Sequence, residues 1–275
     1  MSLFEAILLG LIQGLTEFLP ISSSAHVQIA QELMGLSELS KPQLTAFIAT
    51  IQLGTEFAVL IYFFKTLVQI AQSFFRSGFR PWRKQEPNSK LGWLIIVGTL
   101  PIVILGLGFR DFIENDVRQL WVIGITLIVF GILLGIADRF GTKRKAISEL
   151  NLKSGLAFGF GQALALIPGV SRSGGSITVG LALGFTREAA ARYSFLLAVP
   201  AVLAAGFYQF YESFGNLPND LLIATITATI VSFVSGYAVI AWLLRYLERG
   251  SFMPFVVWRV GVGSLLLIGL SLGAI

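Results

Sequence analysis

GLIQGLTEFLPISSSAH, residues 10–26, is apolar enough to enter a membrane, yet it contains a carboxylate, three consecutive serines and the single histidine of the chain. Pro20 interrupts any helix through this stretch, because proline lacks a backbone N–H and clashes with the preceding turn. An ionisable group inside a membrane is costly and marks a candidate functional site. The stretch therefore predicts a helix that ends within the bilayer and presents Glu17 there.

A second stretch, GFGQALALIPGVSRSGG (residues 159–175), has the same order of features: Gly, a Gln three residues later, an apolar run, a proline and a serine cluster. Pro168 predicts a second helix break. This self-similarity indicates two repeats, roughly residues 1–137 and 153–275, joined by a basic connection at residues 138–152.

The composition is that of a membrane protein. Hydrophobic residues make up 55% of the 275 residues and charged residues only 13%, against about 25% charged in soluble domains. Apolar runs of about 20 residues, each long enough to cross about 30 Å of hydrocarbon, occur at 43–64, 91–109, 119–137, 190–211, 221–244 and 254–274. The N-terminal stretch has an acidic Glu5 and no basic segment, so it is assigned to the fold instead of a cleaved signal peptide. Residues 1–275 are predicted to form one membrane domain.

The rare residue types exclude several kinds of site. A chain without cysteine has no disulfides, thiolate nucleophiles or cysteine metal sites. A single histidine excludes metal clusters of several histidines, so any metal must be held largely by oxygen atoms. The net charge of +5 is modest and the basic residues lie between the apolar runs, so no nucleic-acid partner is predicted.

Basic residues in the connections predict the orientation in the membrane. Residues 65–90 contain six Lys or Arg and one Glu, and residues 138–153 contain five Lys or Arg and two acids, so both are predicted to face the cytoplasm. Residues 110–118 and 211–220 have no such excess and are assigned to the outer side. Both chain termini then lie on the outer side.

Two segments remain, residues 1–41 and 153–187, and each must enter the membrane and turn back to preserve this alternation. Each repeat then crosses the membrane an odd number of times, so the two repeats have opposite orientations. The predicted fold is all-α and polytopic, with six transmembrane helices and two re-entrant helix pairs in an inverted-topology repeat. Such repeats place a site near the midplane, where broken helices meet.

The first cluster supplies groups for catalysis. Gln13 and Glu17 share one helix face at a spacing of four residues. The polar residues after the break are Ser22, Ser23, Ser24 and His26. A hydroxyl three residues from an imidazole and six from a carboxylate provides the parts of an activated nucleophile, and that residue is Ser23. The alternative roles are structural: Glu17 as a helix cap or arginine partner, and the serines and His26 as partners for a broken helix.

PGVSRSGGS, residues 168–176, predicts an anion site. Its glycines allow backbone amides to approach a ligand, and Arg172 adds a planar guanidinium suited to phosphate oxygens. A helix beginning near residue 175 would add its N-terminal dipole. The predicted phosphate-binding residues are Ser22, Ser24, Ser171, Arg172, Ser173, Gly174 and Ser176. The alternative is an arginine that snorkels from a loop.

Other charged residues carry a weaker signal. Glu56 lies in an apolar span and either faces the same cavity or bonds a polar neighbour, and the sequence favours neither. Arg187, Glu188 and Arg192 have spacings typical of interface pairing and are interpreted as structural.

GLTEFLPISSSAH and PGVSRSGGS together resemble the motifs of the undecaprenyl-diphosphatase family, also known as bacitracin-resistance proteins, and length, span number and motif order agree over essentially the whole chain. The first motif is Glu or Gln, three residues, then Glu, followed by Pro-x-Ser-Ser-x-x-His. The second is Pro-Gly-x-Ser-Arg-Ser followed by a hydroxyl residue. The matching residues are Gln13, Glu17, Pro20, Ser22, Ser23, His26, Pro168, Gly169, Ser171, Arg172 and Ser173. Gln13 stands where many relatives have Glu, and Ser176 where Thr is usual.

The resemblance implies an enzyme that removes the terminal phosphate from undecaprenyl diphosphate, which regenerates the lipid carrier for peptidoglycan and other envelope polymers and confers bacitracin resistance. It also implies a bacterial inner-membrane location, a site open to the periplasm and a need for a divalent cation, Mg²⁺ or Ca²⁺. The expected partners are a polyprenyl diphosphate lipid and the bilayer. The sequence leaves the oligomeric state open, with a homodimer among the alternatives.

Two mechanisms fit these residues. In one, Ser23 attacks phosphorus and His26 or Glu17 takes its proton; in the other, Glu17 with a metal activates water. Arg172 is expected to stabilise the transition state in both. Glu17 and Gln13 are the predicted cation ligands, since hard cations prefer oxygen. The competing hypothesis is a polyprenyl-phosphate flippase or anion transporter, because inverted repeats also form transporters.

Overall fold

A computed structural model describes residues 1–36, 39–109, 119–213 and 221–273. These residues are mainly helical and contain no β-strand, which confirms the all-α prediction. The α-helices are α1 (Leu3–Glu17), α2 (Ser23–Met34), α3 (Lys41–Tyr62), α4 (Phe64–Ser77), α5 (Pro87–Gly108), α6 (Leu120–Phe140), α7 (Leu152–Ala163), α8 (Arg172–Ala182), α9 (Arg187–Ser213), α10 (Leu222–Leu247) and α11 (Met253–Ser271). Short 3-10 helices lie at Trp82–Lys84, Ile147–Glu149 and Leu164–Leu166.

Six of the described helices are long and apolar enough to cross a bilayer: α3, α5, α6, α9, α10 and α11. This agrees with the six predicted spans, whose bounds differ from the helices by a few residues. The predicted span 43–64, for example, corresponds to Lys41–Tyr62. The predicted outer connections lie largely outside the described residues: all of 110–118, and 214–220 of the second.

One helix was missed by the sequence analysis. The charges of residues 65–90 predict only a basic connection, but α4 occupies its first half. Its apolar side contains Ile70, which belongs to the largest buried cluster, and Phe74, which lies against Gly92 of α5. The basic residues of this segment obscured an amphipathic pattern, because charged side chains occupy only the opposite face.

Both predicted helix breaks are present. The first break, residues 18–22, separates α1 from α2 and contains Pro20. The second break, residues 164–171, separates α7 from α8 and contains Pro168. The helix after it begins at Arg172, three residues earlier than expected. These four helices have 11 to 15 residues, fewer than the roughly 20 that a span requires. Their re-entrant placement in a membrane stays a prediction.

The two breaks end in the same local conformation. Ser22 and Ser171 are the N-cap residues of α2 and α8, with φ of 76° and 72°. Positive φ is uncommon for a residue other than glycine. The Ser22 hydroxyl lies 3.2 Å from that of Ser24, and the Ser171 hydroxyl lies 3.1 Å from that of Ser173. This correspondence supports the two repeats, while their opposite orientation stays a prediction.

Each half packs one of its short helices against a long helix of the other half. Helix α1 packs on α10, and the corresponding helix α7 packs on α5. A Cβ atom on Gly10 would lie 2.3 Å from the Ala228 carbonyl oxygen, and one on Gly159 would lie 2.2 Å from that of Gly98. The absence of a side chain at these two positions therefore allows the backbones to approach closely, as in other membrane helix pairs.

We predict that Gly159→Ala destabilises the protein by about 1–3 kcal/mol, because overpacking forces the two backbones apart. Gly261→Ala is the matched control, since a Cβ atom at this position of α11 meets no atom within 4 Å. Thermal unfolding in mild detergent measures both variants. An unfolding midpoint of Gly159→Ala equal to that of Gly261→Ala would contradict the close α7–α5 contact.

Candidate active site

An ion pair joins the ends of the two breaks. Glu17 is the last residue of α1 and Arg172 is the first residue of α8. The Arg172 guanidinium donates a hydrogen bond from Nη2 to Glu17 Oε1, and the side chains are 20% and 8% exposed. The structure thus brings the carboxylate of the first motif and the guanidinium of the second into contact.

Glu17 is the centre of a wider cluster. Its Oε2 atom accepts a hydrogen bond from Ser23 Oγ at 2.6 Å and another from Gln13 Nε2 at 2.9 Å. Gln13 Nε2 also lies 3.5 Å from Thr55 Oγ1 on α3. A hydroxyl that donates to a carboxylate at this distance has the geometry of a nucleophile beside its general base.

His26 is oriented away from Ser23. Its Nδ1 atom lies 2.7 Å from the Ser22 carbonyl oxygen, and its Nε2 atom accepts a hydrogen bond from Trp258 Nε1 at 2.8 Å. The indole N–H only donates, so Nε2 is the acceptor and Nδ1 carries the proton. Two residues are predicted as the base for Ser23. Glu17 contacts Ser23, whereas His26 accepts a hydrogen bond from Trp258 on α11.

Most of the predicted phosphate-binding residues are buried: Ser22, Ser171, Ser173, Gly174 and Ser176. Ser171 Oγ accepts from the Gly174 amide at 3.1 Å, and Ser173 Oγ donates to the Leu19 carbonyl at 3.2 Å. Ser176 Oγ bonds Ser194 Oγ at 2.6 Å. The Ser173 contact therefore joins α8 to the first break, while Ser171 caps α8 and Ser176 joins α8 to α9.

Arg172, Ser23 and Ser24 retain solvent access, and the first two both contact Glu17. Ser23 and Arg172 are also the first residues of α2 and α8. The first backbone N–H groups of a helix have no partner within it, and its N-terminus carries partial positive charge. Two helix N-termini and a guanidinium together form a site suited to an anion.

Arg259 on α11 is a residue that the sequence analysis missed. Its side chain is fully buried. Nη1 donates to the carbonyl oxygens of Pro20 and Val170, both at 3.0 Å, and Nη2 donates to that of Gly169 at 2.9 Å. One guanidinium thus binds the backbone of both breaks. The cost of charge in a membrane, which singled out Glu17, also applied to this arginine in the apolar run 254–274.

Gly174 packs beside this guanidinium. A Cβ atom on Gly174 would lie 2.8 Å from Arg259 Nη1. The glycine therefore leaves room for the buried side chain, which is a packing role in addition to the predicted contact with phosphate.

The weaker candidates divide into two groups. Glu56 is buried on α3, 3.4 Å from Gln52 Nε2, and within electrostatic range of Arg172 and Glu17. The side chain of Arg187 is in a structural contact, donating from Nε to Asp138 Oδ1 at 2.5 Å. That of Arg192 lies over the Phe63 ring, 6.0 Å from its centroid.

Comparison with known proteins gives consistent matches over nearly the whole chain. A family model described as bacitracin resistance protein BacA matches residues 6–265. Undecaprenyl-diphosphatase 2 of Agrobacterium fabrum is 52% identical, with 100% of this chain and 98% of that protein covered. Undecaprenyl-diphosphatase of Kineococcus radiotolerans is also 52% identical, over 94% and 91%. The enzyme of that name from Micrococcus luteus is 49% identical, over 100% and 99%.

We predict that Arg259→Met destabilises the protein by about 2–5 kcal/mol, because each buried carbonyl left without a donor costs about 1–3 kcal/mol. Arg249→Met, at an exposed position, serves as the control and should leave the unfolding midpoint unchanged. Chemical or thermal unfolding in detergent compares the two. Equal midpoints would show that Arg259 does not hold the breaks.

Proposed function

Because this chain belongs to the bacitracin resistance protein BacA family, we propose that it hydrolyses undecaprenyl diphosphate to undecaprenyl phosphate and inorganic phosphate. The relatives named above carry this activity in their names. The observation that carries the proposal is the contact of Ser23 and Arg172 with one carboxylate, Glu17, beside two helix N-termini. The product is the carrier for peptidoglycan and envelope polymers, and its regeneration confers bacitracin resistance.

The chain is a multi-pass membrane protein. We place it in the bacterial inner membrane, with both termini and the opening of the site on the periplasmic side. The support for this orientation is the excess of Lys and Arg in residues 65–90 and 138–153, which favours a cytoplasmic location of both connections.

The polyprenyl tail of such a substrate requires apolar surface next to the phosphate site. An apolar cavity of about 570 Å³ opens between α5, α7 and the second break. Its lining includes Leu105, Phe160, Leu166, Ile167 and Val179. We assign this surface to part of the tail, since Ile167 lies only five residues before Arg172.

Arg172 binds the terminal phosphate in the proposed reaction. When the diphosphate enters, the guanidinium turns from Glu17 to phosphate oxygens, which it can contact through two parallel N–H groups. This exchange frees the carboxylate to accept the Ser23 proton. Phosphoryl transfer depends mainly on positioning and charge neutralisation, so Arg172 and the helix N-termini supply most of the stabilisation.

Ser23 then attacks the terminal phosphorus and its proton passes to Glu17, while the bond from that phosphorus to the bridging oxygen breaks. Undecaprenyl phosphate leaves, and water hydrolyses the phosphoserine to inorganic phosphate and Ser23. The 2.6 Å contact between Ser23 Oγ and Glu17 favours this route. In the alternative, Glu17 takes the proton of a water molecule that attacks phosphorus directly.

A divalent cation, Mg²⁺ or Ca²⁺, would supply charge neutralisation for the phosphate oxygens. The donor set fits such a hard cation, because Glu17 and Gln13 offer oxygen atoms. Gln13 donates its Nε2 group to Glu17 Oε2, so its amide oxygen is the atom that would face the cation. The first motif then contributes a single carboxylate.

We predict that Ser23→Ala lowers phosphate release from undecaprenyl diphosphate by at least about 10³-fold, as expected for loss of a nucleophile. Ser271→Ala, an exposed hydroxyl at the end of α11, is the matched control. Purified protein is assayed for inorganic phosphate and for a phosphoenzyme on Ser23. Near-normal turnover of Ser23→Ala would eliminate the covalent route and favour attack by water.

We predict that Arg172→Lys lowers turnover by about 10²–10³-fold without lowering the unfolding midpoint, because a lysine cannot make the two parallel contacts and preorganised charge is lost. Arg249→Lys controls for the substitution. An active Arg172→Lys enzyme would contradict the anion-binding role.

The same preparation tests the transporter alternative. Liposomes that contain the protein should release phosphate from undecaprenyl diphosphate in the presence of a divalent cation, and a chelator should prevent the release. Movement of polyprenyl phosphate across the bilayer without phosphate release under any divalent cation would overturn the hydrolase and favour a flippase.

A further inference from the structure

Glu56 is a buried carboxylate that the proposed mechanism does not use. Its side chain on α3 is 2% exposed. Oε1 has one long contact, 3.4 Å from Gln52 Nε2, and Oε2 has no hydrogen-bond partner among the described residues. An ionised carboxylate buried without donors is strongly unfavourable. A cation bound at this oxygen would remove the cost.

Glu56 belongs to the same polar region as Glu17. Its neighbour Thr55 contacts Gln13 Nε2 at 3.5 Å, and that amide donates to Glu17 Oε2 at 2.9 Å. Glu56 also interacts electrostatically with both Arg172 and Glu17. The carboxylates of α1 and α3 therefore act on one another across the cluster.

The neighbouring helix is shaped to accommodate this carboxylate. Gly206 of α9 lies against it, and a Cβ atom there would lie 2.3 Å from Glu56 Oε2 and 2.5 Å from Oε1. A methyl group at this position would displace the carboxylate. The contact between α3 and α9 thus leaves a space that a charged group fills.

A diphosphate gives the cluster an excess of negative charge when it binds. The Arg172 guanidinium contacts Glu17 and interacts electrostatically with Glu56. The Arg259 guanidinium is bound to backbone carbonyls. A diphosphate adds further negative charge to this poorly hydrated region. A divalent cation with oxygen ligands would neutralise it, and Mg²⁺ and Ca²⁺ both favour carboxylates.

We propose that Glu56 is the second carboxylate ligand of a divalent-cation site that it shares with Glu17. Gln13, which bonds Glu17 and contacts Thr55, the neighbour of Glu56, completes the oxygen donors from α1. The inference rests on the proposed function in one respect, because the cation would neutralise the diphosphate that the enzyme hydrolyses. The second carboxylate of the site then comes from α3, because Gln13 stands where many relatives have Glu.

Glu56→Gln tests the assignment, because it removes the charge and preserves the shape of the side chain. Ca²⁺ and Mg²⁺ are titrated into purified protein in detergent, without lipid substrate, by calorimetry. We expect at least a tenfold weaker affinity, since changes even to groups around a metal site cost about 10–100-fold. Glu32→Gln, the same change at an exposed position of α2, should bind both cations like the parent.

A variant that moves the negative charge from α3 to α1 distinguishes the loss of a cation ligand from altered packing. Gln13→Glu in the Glu56→Gln background returns a carboxylate to the cluster on α1, beside Glu17, and should recover most of the lost affinity. No recovery in a folded double variant would overturn the assignment, because the loss would then come from altered packing of α3.

Gly206→Ala provides a second route if Glu56→Gln does not fold. It should weaken cation binding by displacing the carboxylate without removing a charge. Affinity equal to the parent in either folded single variant would overturn the proposal, and that result is expected if Glu56 is a neutral acid bonded to Gln52. A parent that binds neither cation would overturn it too. Phosphate release by the unsubstituted protein tests the hydrolase proposal separately, and its outcome does not depend on these titrations.

Discussion

The bonds from the Arg259 guanidinium to backbone carbonyls hold the two broken helices together. A helix that stops inside a membrane leaves carbonyl groups that neither the helix nor water can satisfy. Arg259 bonds the carbonyls of Pro20 and Val170 through one nitrogen and that of Gly169 through another, and its Nε atom donates to Leu127 at 3.2 Å. The buried charge is tolerated because several carbonyl dipoles surround it, and the carbonyls are tolerated because the charge is there.

The position of the proposed catalytic groups follows from that arrangement. Once the two breaks are fixed side by side, the last residue of α1 and the first residue of α8 must meet, and these are Glu17 and Arg172. Ser23 begins the next helix and reaches the same carboxylate. The site is therefore organised before substrate arrives, which is the condition under which charged groups contribute most to catalysis.

The sequence predicted the parts of the fold that depend on local chemistry. Apolar runs predicted the six long helices, and prolines predicted the two breaks. The cost of buried charge identified Glu17, and the glycine- and serine-rich stretch 168–176 identified Arg172. The missed features depend on distant partners. The hydrogen bond between Trp258 and His26 joins residues 232 positions apart. No sequence pattern around either residue predicts the other. Arg259 carries the same local signal as Glu17, a charge in an apolar run, but its carbonyl partners are distant in sequence. Helix α4 was missed because its charges concealed an amphipathic period.

The serine clusters illustrate the same distinction between local pattern and role. Their hydroxyl groups suggested phosphate contacts, but Ser22 and Ser171 cap helices at positive φ, and Ser173 bonds the opposite break. A chain that turns sharply among buried residues needs such internal donors and acceptors, since water is not available to replace them. In the proposed function, anion recognition then falls to backbone amides at two helix N-termini and to Arg172. These groups would contact only the oxygens of a terminal phosphate, so we assign recognition of the lipid to the apolar surface around the site.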